Sequence, residues 1–454
     1  MKLHLVKKIL AGTLSAALLS LPALASQPQQ PALWAVDQLA DSYALGLVDD
    51  DYASYIQDPV TLEQLETMTD VVANKLALLE LDQRTADTVG LVVDTTRGGV
   101  MNALYQEAAA YDLPGVEDGA QAFLTSLGVV QGGSGGALAL DRTCTYQEAM
   151  VMANRLILAV YDEQDAGSKG LLWKATNGEN TLYLLGTIHL DRDNVYPLHK
   201  SVREALQASE EVIFELDLND QEGIALLQSL QTYSDGTTLA DHISPELYQR
   251  VQTMAAALGM GSNDLDLYKP WALASTFSTL SLQNDTTGAN AMAIDSYINA
   301  AAVNSGKEIG AVETYAFQGG IFDGLSTEYQ QAYLNSSLTV LEGVLSGTTA
   351  APADEAYLQA QEEMISGMFA AWKDRDPEAF GKVYNKTAII NSDDELNSKL
   401  FTERDPGMIQ AAANYLETEG SHTYFMAVGA GHMVDPGGIV SGLQELGYTV
   451  ELVP

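Results

Sequence analysis

The chain has 454 residues, 46% of them hydrophobic, and 61 acidic against 22 basic side chains give it a formal net charge of −39. So negative a field repels phosphate backbones, which argues against nucleic acid as a partner. The length predicts two or three domains with ample apolar cores, and the single cysteine, Cys144, excludes an intramolecular disulfide.

The first 25 residues have the pattern of a secretory signal peptide. Three lysines precede an apolar run over residues 9–24, and Ala23-Leu24-Ala25 provides the small residues of a cleavage site before Ser26. A membrane anchor is the alternative, but the run is short for a span. We therefore expect a secreted or cell-surface protein with no stable membrane span after cleavage.

Residues 26–165 predict a small, mostly helical region that contains no histidine. Weak repeats, each with a Thr-initiated second helix, resemble the S-layer homology (SLH) repeats of cell-surface proteins. Only Thr96-Arg97 keeps the Thr-Arg pair of those repeats, since Leu62 and Tyr146 occupy the arginine position elsewhere. The resemblance allows either a cell-wall glycan as partner or a degenerate helical spacer. We expect this SLH-like region to be non-catalytic and removable without loss of activity.

Residues 166–454 alternate predicted strands with helices, after a polar linker over 161–170. The pattern indicates an α/β fold, a layered sheet with many helices. A hairpin turn at Asn177-Gly178 joins the first two strands. Predicted strands cover residues 171–175, 181–185, 211–218 and 421–434 and the end of the chain, with long helical segments over 222–280 and 325–415.

Two of the apolar strands run into a Gly-x-x-His motif, which places His189 and His432 beyond their ends. Functional groups collect at the carboxyl ends of strands in open α/β sheets. Glu215, with Asp217 on the same face, lies on the third, acidic strand. Two histidines and one or two carboxylates that meet at strand ends predict a divalent metal site. The alternative, in which each histidine only caps or packs, stays open.

Several motifs over 171–454 resemble those of the TraB/GumN (TraB/PrgY/GumN, TIKI-like) family, in the family's order. Besides the two Gly-x-x-His motifs, they are Lys269-Pro270-Trp271, the stretch over 293–318 and the segment over 401–408. The resemblance implies a fold similar to EreA, ChaN and TIKI-like proteins. Two positions depart from the family pattern, Asp405 in place of asparagine and Ala293 in place of glycine.

This resemblance implies a metal-dependent, peptidase-like hydrolase that acts on a peptide or small amide substrate. It assigns His189, His432 and Glu215 to a divalent metal (Mn, Co or Zn), and catalytic roles to Glu215, Glu313 and Arg404. Glu215 or Glu313 could complete the metal shell or act as general base. Arg404 could hold a substrate carboxylate or a neighbouring acid.

Two further hypotheses remain at this stage. One is a non-catalytic metal- or haem-binding protein on the same scaffold, and the other is a cell-wall-associated interaction protein that works through the SLH-like region. For Lys269-Pro270-Trp271 we favour a helix start over a catalytic role, because proline suits the first turn and tryptophan packs. We expect His199, His242 and His422 to lie at the surface.

Overall fold

The computed structural model describes residues 28–86, 88–132, 136–190, 194–261, 263–282, 292–346 and 352–454. The predicted signal peptide lies outside these residues. Among the helices in the described part of the chain, none is long and apolar enough to cross a membrane.

A six-stranded mixed sheet forms the centre of the C-terminal part, in the order β4-β3-β5-β2-β1-β6. β2, β5, β3 and β4 run parallel to one another, and β1 runs antiparallel to both of its neighbours. Together with the many helices, the sheet confirms the predicted α/β fold. The strands are β1 Leu171–Asn177, β2 Asn180–Thr187, β3 Glu211–Phe214, β4 Glu308–Ala311, β5 Thr423–Gly429 and β6 Thr449–Leu452.

The four parallel strands bring their carboxyl ends to one edge of the sheet. In the register, Thr187 at the end of β2 pairs with Gly429 at the end of β5, and Phe214 at the end of β3 pairs with Ala427. Val428 and Phe214 are buried, so the strand ends are fixed by the core behind them. Polar side chains that follow these ends can therefore meet at one edge of the sheet.

Capped helices form the N-terminal region, as the threonine positions predict. Thr61 and Thr145 each form a capping box, and Thr96 accepts a hydrogen bond from the backbone N–H of Gly99. The helices are α1 Leu33–Val36, α2 Leu39–Leu45, α3 Leu62–Ala77, α4 Arg97–Ala109, α5 Ala120–Ser126 and α6 Tyr146–Glu163.

The arginine of the Thr-Arg pair is occupied within the protein. The Arg97 guanidinium donates to Glu148 at 3.0 Å and to the carbonyl of Gln131 at 3.2 Å, and only 13% of its side chain is exposed. Arg142 also donates to Glu148. A glycan would have to compete with these contacts.

The C-terminal helices pack around the sheet and in a second cluster beside it. The helices are α7 Lys200–Ala208, α8 Gln221–Leu230, α9 Leu239–His242, α10 Pro245–Ala257, α11 Pro270–Leu282, α12 Ile294–Asn304, α13 Tyr315–Asp323, α14 Thr327–Ser346, α15 Pro352–Lys373, α16 Pro377–Tyr384, α17 Lys386–Ile390, α18 Glu395–Thr402, α19 Asp405–Leu416, α20 Ala430–Met433 and α21 Ile439–Glu445.

Some local predictions differ from the structure. The third strand ends at Phe214 rather than at Leu218, and β4 had no counterpart among the predicted strands. His199 was expected at the surface, which is wrong, because it is buried and its ring accepts a hydrogen bond from the N–H of Ser201 at the start of α7.

The Lys269-Pro270-Trp271 motif starts α11, as favoured from the sequence. Trp271 is fully buried, and its indole N–H donates to the Asp323 carboxylate at 3.1 Å. The Lys269 ammonium binds the same carboxylate oxygen at 2.7 Å. The motif therefore joins the start of α11 to the end of α13.

The N-terminal region and the C-terminal part share one continuous hydrophobic core. α2 packs on α12, where the Tyr297 hydroxyl donates to the partly buried Asp41 carboxylate at 2.7 Å. The Lys75 ammonium donates to the carbonyl of Tyr196 at 2.9 Å, and Asp162 pairs with Arg203. These contacts argue against the easily removable region that the sequence led us to expect.

We therefore expect a chain shortened to residues 166–454 to unfold at a lower temperature than residues 28–454, or to lose its cooperative transition, because the cut exposes shared apolar surface. Thermal denaturation followed by circular dichroism measures this. Tyr297→Phe in the longer chain is the matched control and removes one hydrogen bond, worth about 1 kcal/mol. An unchanged midpoint in the shortened chain would instead mean that the two parts fold independently.

Candidate metal centre

Each of the four parallel strands delivers one side chain to the same edge of the sheet. His189 lies two residues beyond β2, Glu215 directly follows β3, Glu313 lies two residues beyond β4, and His432 lies three residues beyond β5. The pairing of β3 with β4 continues past the strand ends, since the Glu313 N–H donates to the Glu215 carbonyl at 2.9 Å. Neighbouring strands thus deliver two histidines and two glutamates to one place.

The two imidazoles converge on one carboxylate oxygen. Glu215 Oε1 lies 3.7 Å from His189 Nε2 and 3.9 Å from His432 Nε2. The same oxygen accepts a hydrogen bond from the N–H of Gly429 at 2.7 Å. Glu215 is therefore the point at which the two Gly-x-x-His motifs meet.

A carboxylate lies next to Nδ1 of each imidazole, on the side of the ring away from Glu215. His432 Nδ1 donates to Asp405 Oδ1 at 2.6 Å, and both side chains are buried. His189 Nδ1 lies 3.3 Å from Asp295 Oδ1, a buried oxygen that has no hydrogen-bond partner among the described residues. When each imidazole is neutral, a proton on Nδ1 leaves Nε2 with a free lone pair on the side of Glu215.

Arg404 and Gln318 hold the two glutamates together. One Arg404 Nη donates to Glu215 at 2.6 Å and to Glu313 at 2.7 Å, and its Nε donates to Glu313 at 3.0 Å. The Gln318 amide donates to Glu313 at 2.8 Å and to Glu215 at 3.2 Å. Of the two roles that the sequence left open for Arg404, these contacts match the neighbouring acid.

The pKa values of the central side chains follow from these contacts. Burial alone would raise the pKa of Glu215, but the Arg404 guanidinium and the His189 and His432 imidazoles lower it well below its ordinary value. Burial alone would lower the pKa of His189, yet the Asp295 and Glu215 carboxylates raise it well above its ordinary value. Glu215 is therefore ionised at neutral pH.

Two glycines make room for this arrangement by lacking a side chain. A Cβ on Gly429 would lie 3.1 Å from Glu215 Oε1 and 3.4 Å from His189 Nε2. A Cβ on Gly186 would lie 2.9 Å from the backbone of Ala430, at the start of the short helix that carries His432. The glycines of the two motifs thus allow close approach of the site groups and of β2 to α20.

The donor chemistry fits a divalent cation. In the part of the chain that the structure describes, no set of three or more histidine, cysteine, aspartate or glutamate side chains is already arranged to hold a metal ion. Two imidazole nitrogens, one carboxylate oxygen and carboxylates behind the imidazoles are nevertheless the groups that such ions take. Neighbouring ligand atoms of a tetrahedral ion lie roughly 3.4 Å apart, because each is about 2.1 Å from it. The separations of 3.7 and 3.9 Å at Glu215 are close to that value.

The structure brings together all five side chains that the sequence singled out, but not Asp217. Asp217 lies beyond the shortened third strand, and its carboxylate accepts from the N–H of Asn219. Asp295, Asp405 and Gln318 lay in the recognised motifs without an assigned role, although a ligand histidine needs an outer acceptor. No pattern in the sequence identified Lys386, which binds Asp405, as part of the site.

The site residues all lie in the part of the chain that matches known proteins. The model of the TraB/PrgY/gumN family matches residues 171–452. Metalloprotease TIKI2 of Danio rerio is 25% identical over 302 residues, which cover 60% of this chain and 58% of the relative. Metalloprotease TIKI1 of Danio rerio is 25% identical over 302 residues, 60% of this chain and 61% of the relative.

A third relative, from another animal, is also named as a metalloprotease. The metalloprotease TIKI homolog of Nematostella vectensis is 22% identical over 303 residues, 60% of this chain and 64% of the relative. The matches to these three curated relatives span about three fifths of each relative's length. No solved structure matches the chain.

Proposed function

The chain belongs to the TraB/PrgY/gumN family, and on that premise we propose that it is a metal-dependent hydrolase of peptides or related amides. Its centre is His189, His432 and Glu215. The relatives named as metalloproteases support the reaction class. We also propose that the protein is exported, with cleavage near Ala25, because of the signal-peptide pattern.

One observation carries the proposal, the convergence of two imidazole Nε2 atoms on a single oxygen of Glu215. Both rings have a carboxylate behind Nδ1, at Asp295 and Asp405, which favours the tautomer that offers Nε2 to a cation. Histidines that merely cap or pack would not need this shared direction.

The side chains divide the chemistry among them. His189, His432 and Glu215 would hold the divalent ion, which would supply Lewis-acid chemistry towards a scissile carbonyl. Glu215 is ionised at neutral pH and can act either as the third ligand or as the general base that accepts a proton from an attacking water. Arg404 offsets the negative charge of Glu215 and Glu313 with ion pairs to both carboxylates.

Metal analysis and a peptide-library digest of the purified protein test the proposal. We expect bound Mn, Co or Zn and cleavage that a chelator abolishes. His189→Ala and His432→Ala should each weaken metal binding by more than the roughly 10–100-fold that loss of an outer hydrogen-bond partner costs, and should stop cleavage.

His422→Ala is the matched control, because His422 lies at the surface by Glu210 and away from the centre. It should change neither metal content nor cleavage. Metal binding without any cleavage would favour the non-catalytic binding protein. A double His189→Ala, His432→Ala variant that binds metal as tightly as the parent would contradict the proposed centre.

A further inference from the structure

A buried lysine lies directly behind the proposed metal centre. Lys386 begins α17, and its side chain is completely inaccessible to solvent. Its ammonium binds Asp405 Oδ2 at 2.7 Å and the carbonyl of Val434 at 2.9 Å, and it lies 4.9 Å from the centre of the Phe401 ring. An ammonium ion so far from water is costly unless such partners surround it.

Each partner of Lys386 also adjoins His432. Asp405 uses its other oxygen, Oδ1, to accept from His432 Nδ1. Val434 caps the carboxyl end of α20, the short helix that carries His432. The Phe401 ring packs on the imidazole with 5.2 Å between ring centres. The ammonium therefore links the three groups that surround one imidazole.

An ion pair that only joined α17 to α19 would not need a carboxylate that also binds His432. Asp405 has both oxygens occupied, one by Lys386 and one by His432, so the carboxylate cannot rotate away from the imidazole without breaking a buried charge pair. Arg404, the neighbouring cation in sequence, is occupied by Glu215 and Glu313. Asp405 therefore depends on Lys386 for its counter-charge.

We propose that Lys386 is a positioning residue for His432. Through Asp405 it fixes the imidazole with the proton on Nδ1 and with Nε2 open towards Glu215, the form that can bind a divalent cation. The cation in this statement rests on the proposed function, whereas the tautomer and the ring orientation belong to the protein itself and can be measured without metal.

Four variants test the proposal, Lys386→Met, Asp405→Asn, their combination, and Lys382→Met as the control. Lys382 is an exposed lysine of the preceding helix that pairs with Glu378. The first measurement is the ¹⁵N spectrum of histidine-labelled, metal-free protein, in which the His432 signal is the one missing from His432→Asn. The second is the dissociation constant for Mn²⁺ alone, by calorimetry.

In the parent and in Lys382→Met, His432 should give the signal of an imidazole protonated at Nδ1 only. Lys386→Met should lose this signature and bind Mn²⁺ about 10–100-fold more weakly, the usual effect of losing an outer partner of a ligand histidine. Adding Asp405→Asn to Lys386→Met should restore the signature and most of the affinity, because a neutral amide oxygen can accept from Nδ1 without a buried counter-ion. A merely structural lysine would show no such rescue.

A folded Lys386→Met protein with an unchanged His432 signal and an unchanged Mn²⁺ affinity would overturn the proposal. If that variant does not fold, two double variants that lack both buried charges are compared instead. One combines Lys386→Met with Asp405→Asn, and the other combines Lys386→Met with Asp405→Leu. The signature should persist in the first and vanish in the second, and equal spectra would overturn the proposal. A parent that binds none of Mn²⁺, Co²⁺ and Zn²⁺ would contradict the proposed function, and the spectra would still decide the role of Lys386.

Discussion

Replacement of Arg404 by methionine should lower the free energy of unfolding by about 3–5 kcal/mol, the cost of removing one partner from a buried ion pair. Arg404 donates to both Glu215 and Glu313, whose side chains are only 14% and 5% exposed. Without the guanidinium, two carboxylates would share the same Gln318 amide, and only the imidazoles near Glu215 could offset their charge. Chemical denaturation of the metal-free protein measures the change.

Arg250→Met is the matched control for this variant. Arg250 pairs with Glu342 at the surface, where an ion pair is worth only about 0–1 kcal/mol. Adding Glu313→Gln to Arg404→Met should recover part of the lost stability, because it removes one of the two unpaired charges. An Arg404→Met protein that unfolds at the same denaturant concentration as Arg250→Met would mean that water or another group compensates the glutamates.

The histidines of the site could be predicted because their signal is local. Each lies a few residues beyond an apolar strand, so the strand pattern alone places it at a carboxyl end. The α/β fold follows from the same alternation of strands and helices. The parallel pairing of β2 with β5 and of β5 with β3 then brings His189, His432 and Glu215 to one edge.

The rest of the site depends on long-range contacts that no local pattern records. Arg404 meets Glu215 across 189 residues of sequence, and Lys386 meets Asp405 from a different helix. β4, Glu308–Ala311, was not predicted as a strand; it lies at the edge of the sheet and pairs only with β3. His199 was misjudged because its role as a helix cap shows only once α7 and its buried start are in place.

The N-terminal region also reaches the site indirectly. α12 carries Asp295, which faces His189, and two residues later it carries Tyr297, which binds Asp41 of α2. The helix that orients one proposed ligand is therefore held from its other side by a region without any histidine. Sequence alone would separate the two parts, whereas the shared core joins them.

Replacement of Glu215 by glutamine should lower turnover of any cleaved peptide by about 10²–10⁴-fold, the usual contribution of a general base. Glutamine keeps the shape of the side chain and can still accept from the Gly429 N–H, but it removes the charge that the two imidazoles and Arg404 surround. Metal affinity should fall as well, because a neutral amide is a poorer ligand than a carboxylate. Kinetic assays with the best library peptide and Mn²⁺ calorimetry measure the two effects.

Glu210→Gln is the control for Glu215→Gln, since Glu210 lies just before β3, with 58% of its side chain exposed beside His422. It should match the parent in both measurements. Glu313→Gln should fall between the two, because Glu313 contacts Arg404 and Gln318 rather than the imidazoles. If Glu215→Gln keeps the metal affinity and the turnover of the parent while His432→Ala loses both, then Glu215 is neither ligand nor base, and Glu313 becomes the carboxylate to examine.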